Sequence, residues 1–371
     1  MRLEIYDFAK PNLRLWWPPK AAEGGTDEFS NYPLPPYRFA TLSTSPSRGR
    51  LFSAGTIRQY TAADAAEHCS LYLVFGIILC YTVSVSDLKW GYIGMSILNA
   101  VILGLVQGIA EFLPISSSGH LSILNNLFHM STAENGHLFF DVLLHLGTLI
   151  SILIVYWSDI VQMFFEVISF VNLGPLAGER KEHYPAARMF LLIVTATLPL
   201  FLILPINDML EGLYYNSIFM GVMLIFTGCM LYVSDRMLPG RKTEKNMTFL
   251  DALIVGICQC VATIPGLSRS GTTITAGLAT GLRREYAVKF SFLMSLPAVL
   301  GANILSFVDA VQEGVNWANM PAYLIGTAVA LVSGIGAISL LKYISQKGKF
   351  GGFAYYCWVV GVLSIILTAI F

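Results

Sequence analysis

Residues 98–124 read LNAVILGLVQGIAEFLPISSSGHLSIL, and residues 250–276 read LDALIVGICQCVATIPGLSRSGTTITA. Laid over each other at an offset of 152 without a gap, nine of the 27 positions are identical: Leu98/Leu250, Ala100/Ala252, Ile102/Ile254, Gly104/Gly256, Gln107/Gln259, Ala110/Ala262, Ser116/Ser268, Ser118/Ser270 and Gly119/Gly271. Biased membrane composition alone would give roughly three. The matches include Gly, Gln and Ser, which apolar composition does not favour, so the two stretches read as a duplication. Each is broken midway, at Leu113–Gly119 and at Pro265–Gly271, by Pro, Gly and a run of hydroxyls. Pro removes a backbone donor and Gly relaxes the helix. Broken backbone at membrane depth survives only where protein or a water-filled cavity satisfies it.

The whole chain has 371 residues, 55% apolar and 12% charged, with mean hydropathy +0.64. Soluble domains carry about 25% charge. Half that value excludes a soluble enzyme, a disordered chain and a nucleic-acid binder, and it points to a polytopic membrane protein. Lys+Arg and Asp+Glu balance at 23 each, so no bulk electrostatic partner is implied. The six cysteines follow neither a secreted disulfide framework nor zinc spacing.

From Met95 onward the apolar segments are 96–124, 138–157, 186–206, 216–234, 249–281, 286–308, 321–341 and 353–371. Six read as ordinary spans; 96–124 and 249–281 are the broken ones. Loops 158–188, 235–249, 282–289 and 342–352 hold three, four, three and three Lys/Arg, whereas 125–137, 207–215 and 309–320 hold none. The positive-inside rule makes the first set cytoplasmic. Both broken segments must then enter and leave on one side. The expected fold is all-α: six transmembrane helices plus two re-entrant broken-helix hairpins. Three spans follow each hairpin, and three is odd, so repeat 1 (about 95–234) and repeat 2 (about 249–371) have opposite orientation. This is an inverted-topology repeat with its broken loops meeting near the midplane.

Residues 1–94 differ. The first 68 are polar, Pro-rich and carry eight Lys/Arg, which reads as a disordered tail and not a signal peptide. Residues 71–85 are apolar but short for a span. The abrupt change before Met95 is the pattern that a start codon assigned too far upstream would leave.

Sorting the basic residues leaves one inside an apolar segment, Arg269. Such an Arg costs about 2.5–3.5 kcal/mol on insertion scales, so it needs an anionic partner. Glu111, His120, Asp141, His145 and the two Ser clusters lie at similar depth. The repeat places Ser117 opposite Arg269 and Glu111 opposite Thr263. Copies that diverge there suggest division of labour: one supplies acid, imidazole and hydroxyl, the other a guanidinium. Arg is a forked donor suited to phosphate. The loops Ser116–Gly119 and Ser268–Thr273 offer N–H groups, hydroxyls and helix N-termini to an anion. His120 can shuttle a proton, and Glu111 can act as base or ligate a divalent cation. The set fits phosphoryl transfer. Each part also has a plain structural use. Glu111 and Arg269 could be only an ion pair, hydroxyls usually bond back to their own helix, Asp141 and His145 could bond each other at i, i+4, and Gln107 and Gln259 could be interhelical glue.

Gln107-x-x-x-Glu111-Phe-Leu-Pro-Ile-Ser-Ser-Ser-Gly-His120 resembles the first signature of the undecaprenyl-diphosphatase family, the membrane phosphatases tied to bacitracin resistance. Pro265-Gly-Leu-Ser-Arg-Ser-Gly-Thr-Thr273 resembles the second, and Phe140-Asp-Val-Leu-Leu-His-Leu-Gly-Thr148 a third familiar stretch. The resemblance covers about 95–371. It implies removal of the terminal phosphate of undecaprenyl diphosphate in the bacterial plasma membrane, yielding the lipid carrier for cell-wall synthesis, with Mg²⁺ or Ca²⁺. On these motifs Glu111, Ser117, His120 and Arg269 are the expected catalytic residues. Gln107, Ser116, Ser118, Gly119, Ser268, Ser270, Gly271, Thr272 and Thr273 are expected to bind substrate, and Asp141 and His145 are secondary candidates. Many members carry Glu where Gln107 stands. Gln is no base and a weaker metal ligand, which moves that burden to Glu111. Inverted repeats with broken helices also build secondary transporters, so a flippase of polyprenyl phosphates is the competing expectation. A flippase needs neither a hydroxyl nucleophile nor an imidazole.

Overall fold

The structure is a computed structural model that describes residues 95–127, 137–170, 184–206, 209–210, 212–238, 240–347 and 350–370. The expectations for residues 1–94 fall outside these. The described chain is helical, apart from an isolated bridge between Lys242 and Leu282. We number its α-helices α1 (Ile97–Phe112), α2 (Ser117–Leu127), α3 (His137–Val155), α4 (Trp157–Phe170), α5 (Pro185–Thr197), α6 (Ser217–Ser234), α7 (Phe249–Val261), α8 (Arg269–Ala279), α9 (Arg284–Glu313), α10 (Met320–Lys347) and α11 (Gly351–Ile370).

Both apolar duplicates break where their sequence requires. In the first, Ser96 caps α1 by accepting from Asn99 N at 3.1 Å. The helix stops at Phe112, before Pro114. The chain turns at Ser116, whose φ of +69° is left-handed, and α2 begins at Ser117. In the second, a capping box of Thr248 and Asp251 opens α7, Gly266 turns at φ +85°, and α8 begins at Arg269. The helices α2 and α8 each have 11 residues and start 152 positions apart. At about 1.5 Å per residue, α1 and α2 are each shorter than the ~30 Å hydrocarbon core.

Among the described residues six helices are long and apolar enough to cross a membrane: 138–155, 185–206, 217–234, 284–312, 317–347 and 351–370. They match the six expected spans, with differences at several places. The second span leaves α-geometry after Thr197 and continues as 3₁₀ turns at Leu198–Leu202 and Leu204–Ile206, each carrying a Pro. The fourth and fifth run past their apolar stretches of 286–308 and 321–341, and the fourth passes through Pro297. Helix α4 lies in what the charge count treats as the start of a loop, and it has no counterpart among the described residues of repeat 2. Its buried Glu166 accepts from Ala186 N and Ala187 N at 2.6 and 3.0 Å. This caps α5, whose own N-cap residue Tyr184 makes no side-chain cap bond.

Packing exchanges the repeats. Helix α1 lies along α10, the second span of repeat 2, and α7 packs on α5, the second span of repeat 1. One of the two glycine pairs identical in both copies, Gly104/Gly256, sits at both crossings. A Cβ on Gly104 would collide with the Gly326 carbonyl, and one on Gly256 with the Ala196 carbonyl. The third spans, α6 and α11, pack on each other, while α2 and α8 both reach α6. Both breaks are thereby held against the same span. Large apolar side chains such as Phe164, Leu202 and Val332 face outward, as a lipid solvent permits.

Candidate active site

The junction of the two breaks centres on one carboxylate. Glu111, at the end of α1, has a side chain only 6% exposed. Its Oε2 accepts from Ser117 Oγ at 2.7 Å and from Gln107 Nε2 at 3.1 Å. Its Oε1 accepts from Arg269 Nη2. Ser117 and Arg269 occupy the same position in the two copies, each being the first residue of the helix after its break. The repeat thus brings two equivalent positions onto opposite oxygens of one acid. The ion pair also balances the charge that makes a lone Arg costly in an apolar segment. The position equivalent to Glu111 is Thr263, whose hydroxyl donates to its own helix at Cys260 O, 2.6 Å.

The two histidines differ. His145 Nε2 lies 3.9 Å from Glu111 Oε2, and the side chain is 33% exposed. Its Nδ1 is 2.9 Å from the Asp141 carbonyl. The i, i+4 spacing therefore joins His145 to the backbone of Asp141. His120 is buried. Its Nδ1 is 2.7 Å from the Ser116 carbonyl and its Nε2 2.6 Å from the Tyr356 hydroxyl, with the rings stacked at 5.5 Å. A carbonyl only accepts, so Nδ1 carries the proton in both rings. In neutral His120, Nε2 then accepts from Tyr356. The sequence reading missed Tyr356; the available signal was a tyrosine in an apolar span, whose hydroxyl needs a partner when buried.

The remaining expected residues bind one another. Ser116 Oγ accepts from Gly119 N at 3.3 Å and Ser268 Oγ from Gly271 N at 3.1 Å, one helix cap in each copy. Ser118 Oγ accepts from Gly266 N at 3.2 Å, and Ser270 Oγ donates to Leu113 O at 3.3 Å, so each copy ties to the other's break. Thr272 donates back to Ser268 O at 2.8 Å and Thr273 to Arg269 O at 2.9 Å. A crevice opens beside the ion pair, lined by Glu111, Arg269, Ser270, Ser291 and Ser295. Phe112 and Phe292, edge to face at 5.5 Å, form its apolar wall.

Fold and site together define a class: an integral, multi-pass membrane protein in which two similar broken segments share one buried acid–guanidinium–hydroxyl site. Comparison with known proteins narrows this further. The family described as bacitracin resistance protein BacA matches residues 100–363, and the chain belongs to that family. The undecaprenyl-diphosphatase of Methanosphaera stadtmanae is 40% identical over 281 residues, covering 74% of this chain and 99% of its own length. That of Carboxydothermus hydrogenoformans is 40% identical over 278 residues, covering 74% and 98%. That of Halothermothrix orenii is 38% identical over 278 residues, covering 75% and 100%.

Proposed function

We infer that this chain hydrolyses undecaprenyl diphosphate to undecaprenyl phosphate and inorganic phosphate. It thereby recycles the lipid carrier for cell-wall synthesis and confers bacitracin resistance, working in the bacterial plasma membrane. The observation that carries this reading is the shared carboxylate. Ser117 Oγ already donates a hydrogen bond to Glu111, and Arg269 stands on the other oxygen. A flippase would need a polar cavity and a cation. It would have no use for a hydroxyl hydrogen-bonded to a base, the arrangement that activates a nucleophile.

In this mechanism the terminal phosphate takes the place of the carboxylate on Arg269, whose planar fork can hold two phosphate oxygens. The N-termini of α2 and α8 begin at Ser117 and Arg269, and their dipoles favour the same negative charge. Glu111, released from Arg269, accepts the Ser117 proton as Oγ attacks phosphorus. The apolar tail leaves sideways into lipid. The two helix pairs re-enter the membrane from opposite sides. Reporter fusions after Lys242 and Lys347 should then read cytoplasm, and those after Asp208 and Glu313 outside; a cytoplasmic signal at Asp208 would break the inverted arrangement.

Among the described residues no group of three or more His, Cys, Asp or Glu could hold a metal ion. The donor set still fits Mg²⁺ or Ca²⁺ of the kind held by one carboxylate together with substrate phosphates and water. Glu111 supplies the carboxylate, and Gln107 Oε1 beside it is buried without a hydrogen-bond partner. Bound there, the cation would neutralise charge on the diphosphate. The decisive assay is inorganic phosphate release from undecaprenyl diphosphate by the purified protein, with and without EDTA. We expect release that EDTA abolishes and Mg²⁺ restores. Transport of the lipid without phosphate release would overturn the phosphatase reading.

A further inference from the structure

We propose that Ser291, on α9, binds the leaving phosphate of the lipid diphosphate in the crevice beside Arg269. The proposal rests on the phosphatase reading, which puts the terminal phosphate between Ser117 and Arg269 and leaves the second phosphate unplaced. Phosphoryl transfer runs in line, so the leaving oxygen departs on the side opposite the attacking hydroxyl. Ser117 addresses Oε2 of Glu111, whereas Arg269 stands on Oε1. The crevice opens on the Arg269 side. Arg269 and Ser270 of the second break line it, and no hydroxyl of the first break does. A phosphate expelled in line by Ser117 therefore enters the crevice.

The donors there are few. The Arg269 fork is taken by the terminal phosphate. Ser270 donates to Leu113 O at 3.3 Å and Ser295 to Phe292 O at 2.7 Å. Ser291 differs because its partner is another hydroxyl. Its Oγ is 2.6 Å from Thr273 Oγ1, and both residues are buried, at 3% and 1% exposure. Each hydroxyl has one proton, so the pair can point either way. While Thr273 donates to Arg269 O at 2.9 Å, the proton between the two hydroxyls belongs to Ser291. When Thr273 turns to donate to Ser291, the Ser291 proton is free for a phosphate oxygen. A chain of two hydroxyls that ends on an anion is polarised along its length, which strengthens each bond in it.

Past Ser291 the lining turns apolar. Phe292 follows it directly and, with Phe112, forms the wall of the crevice. A lipid diphosphate has its parts in the same order: terminal phosphate, second phosphate, apolar chain. Arg269, Ser291 and the two phenylalanines match them one by one.

The two products separate the two subsites. Undecaprenyl phosphate carries the leaving phosphate, and inorganic phosphate is the terminal one. The test is inhibition by each product, measured with Mg²⁺ on the purified full-length parent, Ser291→Ala and Ser291→Cys, beside thermal stability in detergent. Cys fills nearly the same space but donates weakly, so it separates a lost donor from a packing defect. We expect both variants to raise KM for undecaprenyl diphosphate and Ki for undecaprenyl phosphate about tenfold, the usual worth of a hydrogen bond to a charged group, and to leave Ki for inorganic phosphate within about twofold. Parental KM and Ki values for the lipids in the folded variants would overturn the proposal. So would an equal rise in both Ki values, which is what Ser291 would cause if it acted only through Thr273 on α8 and Arg269. A parent that releases no phosphate would instead overturn the phosphatase reading.

Discussion

The two broken segments share nine of 27 positions, and the positions that are identical behave differently from those that are not. The identical hydroxyls bond within and between the breaks. Ser116 and Ser268 cap α2 and α8, while Ser118 and Ser270 tie each copy to the other's break. The changed positions meet at the site. Ser117 faces Arg269 across Glu111, and the counterparts of Glu111 and His120 are Thr263 and Thr272, which bond back to their own helices. On the proposed mechanism, identity between the two segments marks the scaffold and divergence marks the chemistry. The glutamines are the exception. Gln107 is identical to Gln259, yet only Gln107 bonds an acid; both polar atoms of Gln259 are buried without a partner.

The largest expected effect is at the most divergent pair. Glu111→Gln removes the base and leaves Arg269 without a counter-charge. Phosphate release should fall about 10²–10⁴-fold. Its counterpart Thr263→Val, which deletes a hydroxyl bonded only to its own helix, should change turnover less than about twofold. Comparable losses in the two variants would dissolve the distinction between the copies. A smaller effect is expected at Arg269→Lys. Lys keeps the charge and hence the balance with Glu111, but loses the fork. Losing one well-placed stabiliser of developing charge costs about 10²–10³ in rate. Near-normal turnover of folded Arg269→Lys would make Arg269 a structural partner only.

Much of this was legible in the sequence because duplication supplies its own comparison. Offset, break points and the unequal pair Ser117/Arg269 need only the letters, and the apolar runs supply six spans. Other features depend on partners far apart in the chain. Nothing near His120 announces that Tyr356, 236 residues on, will take its Nε2. Nothing near α5 announces that a glutamate 20 residues earlier caps it. The Asp141–His145 spacing was visible, but not that the ring would choose the carbonyl and leave Nε2 facing Glu111. Helix α4 was hidden because three basic residues between 158 and 188 made the whole stretch resemble a loop.

Ser117 and Ser118 are neighbours with nearly the same chemistry, and they fall on opposite sides of the comparison. Phosphate release and thermal stability in detergent, measured together on Ser117→Ala and Ser118→Ala, therefore test the central claim most directly. The account expects Ser117→Ala to lose nearly all turnover while melting close to the parent. Ser118→Ala should lose about 0.5–1.5 kcal/mol of stability, the usual worth of one hydrogen bond, and keep turnover per folded molecule within a few-fold. An active Ser117→Ala, or a Ser118→Ala that is stable but inactive, would contradict the account.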